Sequence, residues 1–221
     1  MKKFKIITIF PEILNSYYNE SIIKRACDKK IIGIENYNLR DWTTDNHKTV
    51  DDTPYGGGAG MLMKIEPLYK ALQAIKKGGN SKKRKIVLMA ASGTTWTQKK
   101  AKEYTKLDET IIICGRYEGV DARIKEFIDE EISIGDYVLT GGELGAAVMI
   151  DSISRLLPGV LGNDDSAIEE SHSEEGVMEY PQYTRPEIFK VGKKSFPVPR
   201  VLLEGNHKLI NEWRKKEQNK R

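Results

Sequence analysis

The chain has little that would staple it, cage a metal or anchor it in a bilayer. Its 221 residues include two cysteines, Cys27 and Cys114. Two thiols with no Cys-x-x-Cys spacing argue against a zinc site and against a disulfide scaffold. Cys114 closes the run Ile111-Ile112-Ile113 and reads as a small buried apolar residue. No stretch approaches the roughly 20 apolar residues that a membrane helix needs. The apolar stretch Ile6–Phe10 follows Lys2, Lys3 and Lys5 but stops at Pro11, too short for a signal-peptide core. Internal repeats and low-complexity tracts are also missing. The expected location is the cytoplasm.

Hydrophobic residues make up 39% of the chain and charged residues 31%. Such a chain buries a proper core and suits one large domain plus a smaller one. The net charge of +4 is too small to establish nucleic-acid binding, so its distribution matters more than its sum. Lys76-Lys77 and Lys82-Lys83-Arg84-Lys85 bracket a Gly-Gly-Asn-Ser stretch, and the sequence finishes Arg214-Lys215-Lys216-Glu217-Gln218-Asn219-Lys220-Arg221. Taken alone, these blocks read either as solvated loop and tail or as phosphate contacts.

Four short β-branched runs predict buried strands: Ile6–Phe10, Ile86–Met89, Thr110–Cys114 and Glu131–Ile134. Helical patterns lie between them at Ile13–Cys27, Glu66–Lys77, Thr97–Leu107 and Val120–Asp129. A longer one follows over Glu143–Leu157 and is stopped by Pro158-Gly159. Strands alternating with helices predict an α/β fold with a mostly parallel, three-layer sheet, spanning residues 1–162. Residues 164–179 are strongly acidic with no Lys or Arg, which predicts a mobile linker over 163–179. Residues 180–221 differ again, with Leu209, Ile210 and Trp213 on one helical face, and predict a small helical C-terminal domain.

Two glycine-broken segments carry the functional signal. Cys114-Gly115-Arg116-Tyr117-Glu118-Gly119-Val120-Asp121 and Ile134-Gly135-Asp136-Tyr137-Val138-Leu139-Thr140-Gly141-Gly142-Glu143 each begin where an apolar run ends. In an open α/β sheet such loops gather at one edge, where bare backbone approaches a ligand closely. A small-molecule pocket made largely of main chain is the expectation. The glycine string Pro54–Gly60 is a poorer phosphate site, because it lacks a Gly-Lys-Ser/Thr ending and follows no apolar strand.

In order along the chain stand Pro54-Tyr55-Gly56-Gly57-Gly58-Ala59-Gly60-Met61, the two loops above, Pro158-Gly159-Val160-Leu161-Gly162 and Tyr183-Thr184-Arg185-Pro186. With this ordered set the chain resembles the bacterial tRNA (guanine-N1)-methyltransferases of the SPOUT superfamily over nearly its whole length. The resemblance implies an α/β domain whose C-terminal part is threaded into a trefoil knot. It also implies a homodimer with the active site shared between subunits, and S-adenosylmethionine as methyl donor. The methyl would go to N1 of guanosine 37 in tRNA, beside the anticodon. Threaded chains are rare enough that periodicity alone would never suggest one.

Carried over by position, the cofactor would lie against Met89, Ala90 and Ala91, then Gly115, Tyr117, Glu118 and Gly119. The third wall would be Ile134, Gly135, Asp136, Tyr137, Val138, Leu139, Gly141 and Gly142. Glu118 reads equally as a partner for a ribose hydroxyl or as a surface carboxylate. Guanine N1 is protonated at neutral pH, so the reaction needs a base for that proton and a cation near O6. The resemblance gives the cation role to Arg155, although an Arg in a last helical turn also complements the helix dipole. Arg185 is implied as a tRNA contact. Relatives use Mg²⁺, for which the acidic linker is the implied host, although no metal-ligand spacing marks a site.

The chain departs from the family pattern in several places. The base is an Asp in Ser-x-x-x-Asp-Ser-Phe, and here Ser166-Ala167-Ile168-Glu169-Glu170-Ser171-His172 puts Glu170 in that role, one methylene longer. The first loop, Leu-Ser-Pro-Gln-Gly in relatives, reads Met89-Ala90-Ala91-Ser92-Gly93, and a proline of the third region is Gly145. Two lost prolines predict looser loops and weaker cofactor binding. Relatives usually continue further at the C-terminus, which predicts a weaker grip on tRNA. These departures leave a non-catalytic binder of tRNA or cofactor as the alternative reading.

Overall fold

The computed structural model describes residues 1–78, 81, 83–162 and 178–218. The chain divides into two compact units, Met1–Gly162 and Asn163–Arg221. In the first, β1 (Lys2–Thr8) leads through α1 (Asn15–Tyr18) and α2 (Ser21–Asp28) to β2 (Ile32–Asn38). A short hairpin, β3 (Asp51–Asp52) with β4 (Leu62–Met63), precedes α3 (Ile65–Lys77). Then come β5 (Arg84–Thr95), α4 (Gln98–Tyr104), β6 (Glu109–Cys114), β7 (Glu130–Ser133) and α5 (Glu143–Ser154). The main sheet has the order β2-β1-β6-β5-β7, and each of its pairings is parallel.

The expected parallel sheet is present, and four details of the α/β unit differ from expectation. The strand expected from Ile6 starts at Lys2, because two lysines are buried inside it. Lys2 donates to the carbonyls of Tyr104 (2.6 Å) and Leu107 (2.8 Å), and Lys5 pairs with buried Glu109 at 2.9 Å. β2 escaped the sequence pattern because its Ile32-Gly33-Ile34-Glu35-Asn36-Tyr37-Asn38 mixes apolar and polar residues. As an edge strand it buries only Ile32 fully. The helix expected over Ile13–Cys27 is two helices broken at Asn19-Glu20, and that over Val120–Asp129 is a 3₁₀ stretch, Ala122–Phe127, capped by Asp121.

Apolar clusters fill both faces of the sheet. One gathers Phe4, Ile6, Val87, Ile112 and Ile132 beneath α2, α4 and α5; the other gathers Ile7, Leu88, Ile111 and Ile113 beneath α3. Alternate residues of each strand thus feed opposite layers, as the pleat requires.

In the second unit the expectation of a purely helical domain needs correction. Its described residues contain an antiparallel hairpin, β8 (Ile188–Val191) with β9 (Lys194–Pro197), as well as one α-helix, α6 (His207–Glu217). Gly192, at φ 58° in the tight Gly192-Lys193 turn, permits the reversal. Asn206 caps α6 by accepting from the Leu209 N–H at 3.3 Å.

Glu130 fastens the start of β7 to its neighbours. It accepts from Lys85 of β5 (2.6 Å) and from Lys100 and Tyr104 of α4. Partial burial pushes the carboxyl upward, but hydrogen bonds from Lys100, Lys85 and Tyr104 outweigh it and hold the group down at about 2. Because the folded value lies below the ordinary 4.5, the stabilisation is complete above about pH 4.5 and is lost as pH falls towards about 2. Glu130→Gln should lower unfolding stability near neutrality by about 1 to 2 kcal/mol, allowing for solvent screening. Denaturant titrations at pH 7 and pH 3 should show the gap narrowing in acid; an equal gap at both would contradict the clamp.

Candidate functional site

Strands β6, β5 and β7 are neighbours and run the same way, so the loops leaving their carboxyl ends meet. They enclose a cavity of about 510 Å³ lined by residues 88–92, 115–120, 131–135 and 137–142, with Ala122, Lys125 and Gly145. An open α/β sheet places ligands in this position. The volume falls within the range of small-molecule sites.

Each wall has its own local cause. The first is an excursion in β5, in which Ile132 of β7 pairs with both Met89 and Thr94, so the chain between them bulges outward. Gly93 closes the bulge; a Cβ there would lie 2.5 Å from the Glu131 carbonyl carbon and the Ile132 nitrogen. Trp96 N–H then donates to the Ser133 carbonyl at 2.7 Å and sets the chain back beside β7.

The second wall, residues 115–121, is sewn to the β4 region. Glu118 N–H donates to Met61 O, Met63 N–H to Gly119 O, and Asp121 N–H to Met63 O, each at 3.0 Å. Tyr117 sits in the left-handed region at φ 60°. The glycine string ending at Gly60 abuts this wall, since a Cβ on Gly60 would strike the Glu118 side chain.

The third wall turns at Gly135, whose φ of 149° disfavours side chains and whose added Cβ would meet the Tyr137 ring. Ser133 Oγ donates to Gly135 O at 3.0 Å, and Tyr137 OH donates to Ile134 O at 3.2 Å. At the far end Gly142 N–H donates to Gly115 O at 2.9 Å, joining the third wall to the second. A Cβ on Gly142 would stand 2.8 Å from Cys114 Cα and Met89 Cβ, so this crossing admits only glycine without a shift.

A buried ion pair locks the walls together. Glu143, the first residue of α5 and 2% exposed, faces the Arg116 guanidinium, which is 15% exposed, at 2.9 Å. Thr8, at the end of β1, donates to Glu143 at 2.6 Å, and Arg116 also donates to Thr140 O at 3.1 Å. Arg116 lies over the Phe10 ring, 4.8 Å from its centroid. At a helix N-terminus the Glu143 charge is further favoured by the dipole. Cys114, between these elements, is fully buried, and burial pushes its thiol up so that it stays protonated.

Of the residues expected around a cofactor, Met89, Ala90, Ala91, Gly115, Tyr117, Glu118, Gly119, Ile134, Gly135, Tyr137, Val138, Leu139, Gly141 and Gly142 line the cavity. Asp136 does not. Arg155 does not line it either; it caps the C-terminal end of α5, where its N–H donates to Asp151 O. Glu170 lies outside the described residues. Arg185 belongs to the second unit and is exposed. Arg116, Glu143, Thr8 and Ser133 were missed as organisers of the site. The available signal was a charged residue inside each glycine motif, one of them opening an otherwise apolar helix.

Comparisons with known proteins agree along the chain. A family model described as "tRNA (Guanine-1)-methyltransferase TrmD" matches residues 1–221. A tRNA (guanine-N(1)-)-methyltransferase of Dictyoglomus turgidum is 52% identical over 217 residues, covering 98% of this chain and 85% of that protein. One of the same name from Citrifermentans bemidjiense is 51% identical over 221 residues, covering 99% and 86%. Another, from Enterococcus faecalis, is 48% identical over 215 residues, covering 97% and 85%. With a family model matching the whole chain and relatives about 50% identical over nearly all of it, the chain belongs to the tRNA (guanine-1)-methyltransferase family.

Proposed function

We propose that the chain is an S-adenosylmethionine-dependent enzyme that methylates N1 of guanosine 37 in tRNA, next to the anticodon. The observation that carries this reading is the convergence of three glycine-broken loops on one cavity in a chain that matches the family throughout. An adenosyl group needs an apolar slot with main-chain donors and acceptors at its edge. Ile134, Tyr137 and Leu139 provide apolar wall, and Gly115, Gly141 and Gly142 bring half-buried main chain up to the cavity. When bound there, S-adenosylmethionine supplies the electrophilic methyl group.

The chain's own groups prepare the guanine. Glu170 accepts the N1 proton, and Arg155 balances the negative charge that gathers on O6. The helix preceding Arg155 has 12 residues and so spans about 18 Å, with Gly142 of the cavity at its opposite end. An arginine one helix length from its own chain's cavity fits a role at the cavity of a second copy, which supports a homodimer with shared active sites. Leu144 and Val148, exposed one turn apart on the same helix, offer an apolar face for that second copy.

A trefoil threading of the first unit belongs to the same reading. It is supported by the double pairing of β7 with β5 and by the backbone crossings at Gly93 and Gly142. The second unit, with Arg185, grips the tRNA. Any Mg²⁺ requirement falls to the acidic stretch 164–179, nearly all of it outside the described residues. Among the described residues no group of three His, Cys, Asp or Glu is placed to hold a metal, and no helix is long and apolar enough to cross a membrane.

Labelled methyl should pass from S-adenosylmethionine to a transcript with guanosine 37 and not to one with adenosine there. Glu170→Ala should cut turnover by roughly a hundredfold or more. Transfer to both transcripts, or full activity of Glu170→Ala, would contradict the assignment. Binding of both ligands without transfer would favour the non-catalytic reading.

Shared sites make a separate prediction. Arg155→Ala and the cavity variant Leu139→Asp should each be nearly inactive. Mixing and reassembling them should restore about a quarter of parental activity, because random pairing leaves one intact site in half of the dimers. No restoration in verified mixed dimers would place Arg155 and the cavity in one chain.

A further inference from the structure

The second unit holds a feature that the proposed chemistry does not use. All eight strand residues of the β8–β9 hairpin are exposed, including Ile188, Phe189, Val191 and Phe196. A two-stranded hairpin in water is at best marginally stable, and natural proteins seldom leave such an apolar ribbon uncovered. Phe189 and Phe196 are directly paired across the strands, with ring centroids 6.4 Å apart. Partners of this kind share one face, and Val191 with its partner Lys194 falls on the same face two residues on.

Charge indicates what covers the hairpin. From Ile188 to Leu203 the chain carries Lys190, Lys193, Lys194 and Arg200 and no acidic residue. A second copy of this ribbon would bring like charges together. A ligand that is polyanionic and also offers flat apolar faces suits both features, and unpaired RNA bases on their phosphate backbone are such a ligand.

We infer that the Phe189–Phe196 face is a base-stacking platform for unpaired nucleotides of the tRNA, with Lys194 on that face and Lys193 in the adjoining turn contacting the flanking phosphates. This rests on the tRNA reading above and adds to it a recognition surface distinct from the methyl-transfer cavity. Stacking on aromatic rings tolerates any base, so the platform contributes affinity and register while the cavity selects the guanine.

The test uses the full chain and an unmodified tRNA transcript, with affinity measured at several salt concentrations. The double variant Phe189→Ala/Phe196→Ala should bind tRNA roughly ten- to a hundredfold more weakly. Its S-adenosylmethionine affinity and melting temperature should stay parental. Phe189→Leu/Phe196→Leu keeps apolar bulk without aromatic faces and should lose comparably. Lys193→Ala/Lys194→Ala should flatten the salt dependence. Parental tRNA binding by either phenylalanine pair would overturn the platform, as would conversion of a dimer to a monomer by these substitutions. Failure of the parent chain to bind tRNA would overturn the tRNA reading with it, whereas intact parental binding with unaffected variants overturns the platform alone.

Discussion

The buried pairing of Arg116 with Glu143 is the interaction on which the site depends. It joins the loop after β6, the loop before α5 and, through Thr8, the end of β1. Taking both charges out of water is costly, and the cost is offset here by several hydrogen bonds and by the N-terminus of α5. Removing one partner would leave the other buried and unpaired, an effect on the order of 3–5 kcal/mol. The pair therefore acts less as a source of net stability than as a device that permits one arrangement of the loops.

Close backbone packing does the rest. At Ala91 and Gly145, where the family pattern leads to an expectation of proline, the walls are held by other means. The β5 excursion is fixed on both flanks by pairing with β7 and shut at Gly93. The space a side chain at 145 would occupy is taken by the Met89 methyl, 2.6 Å from where a Cβ would stand. A flexible thioether thus fills the gap beside Gly145. Chain order near the cavity follows from pairing and packing more than from fixed φ angles.

Much of this was legible in the sequence. The apolar runs Ile86–Met89 of β5 and Ile111–Cys114 of β6 are continuous because both faces of the sheet are buried there, and the glycine loops that follow β6 and β7 locate the cavity directly. β2 was not legible, since an edge strand half open to water keeps polar residues that break the pattern. The first residues of β1 were hidden by Lys2 and Lys5, whose charges are met by carbonyls and a glutamate from distant segments. The same reason hid the organising pair: Arg116 and Glu143 lie 27 residues apart, and Thr8 lies 135 from Glu143. Only the folded chain brings them together. The hairpin of the second unit was missed because its strands, Ile-Phe-Lys-Val and Lys-Ser-Phe-Pro, are only four residues each, too short for a period to show, and the second ends in proline.

The central claim is that the Arg116–Glu143 pair shapes the cavity for its ligand. Calorimetric titration of S-adenosylmethionine into the Glu143→Gln variant, with hydrogen exchange followed over residues 115–119 and 140–142, tests it most directly. Affinity should fall at least about tenfold, with faster exchange concentrated in those two loops. Parental affinity with parental protection of both loops would show that the walls assemble without the pair, and the account would be wrong.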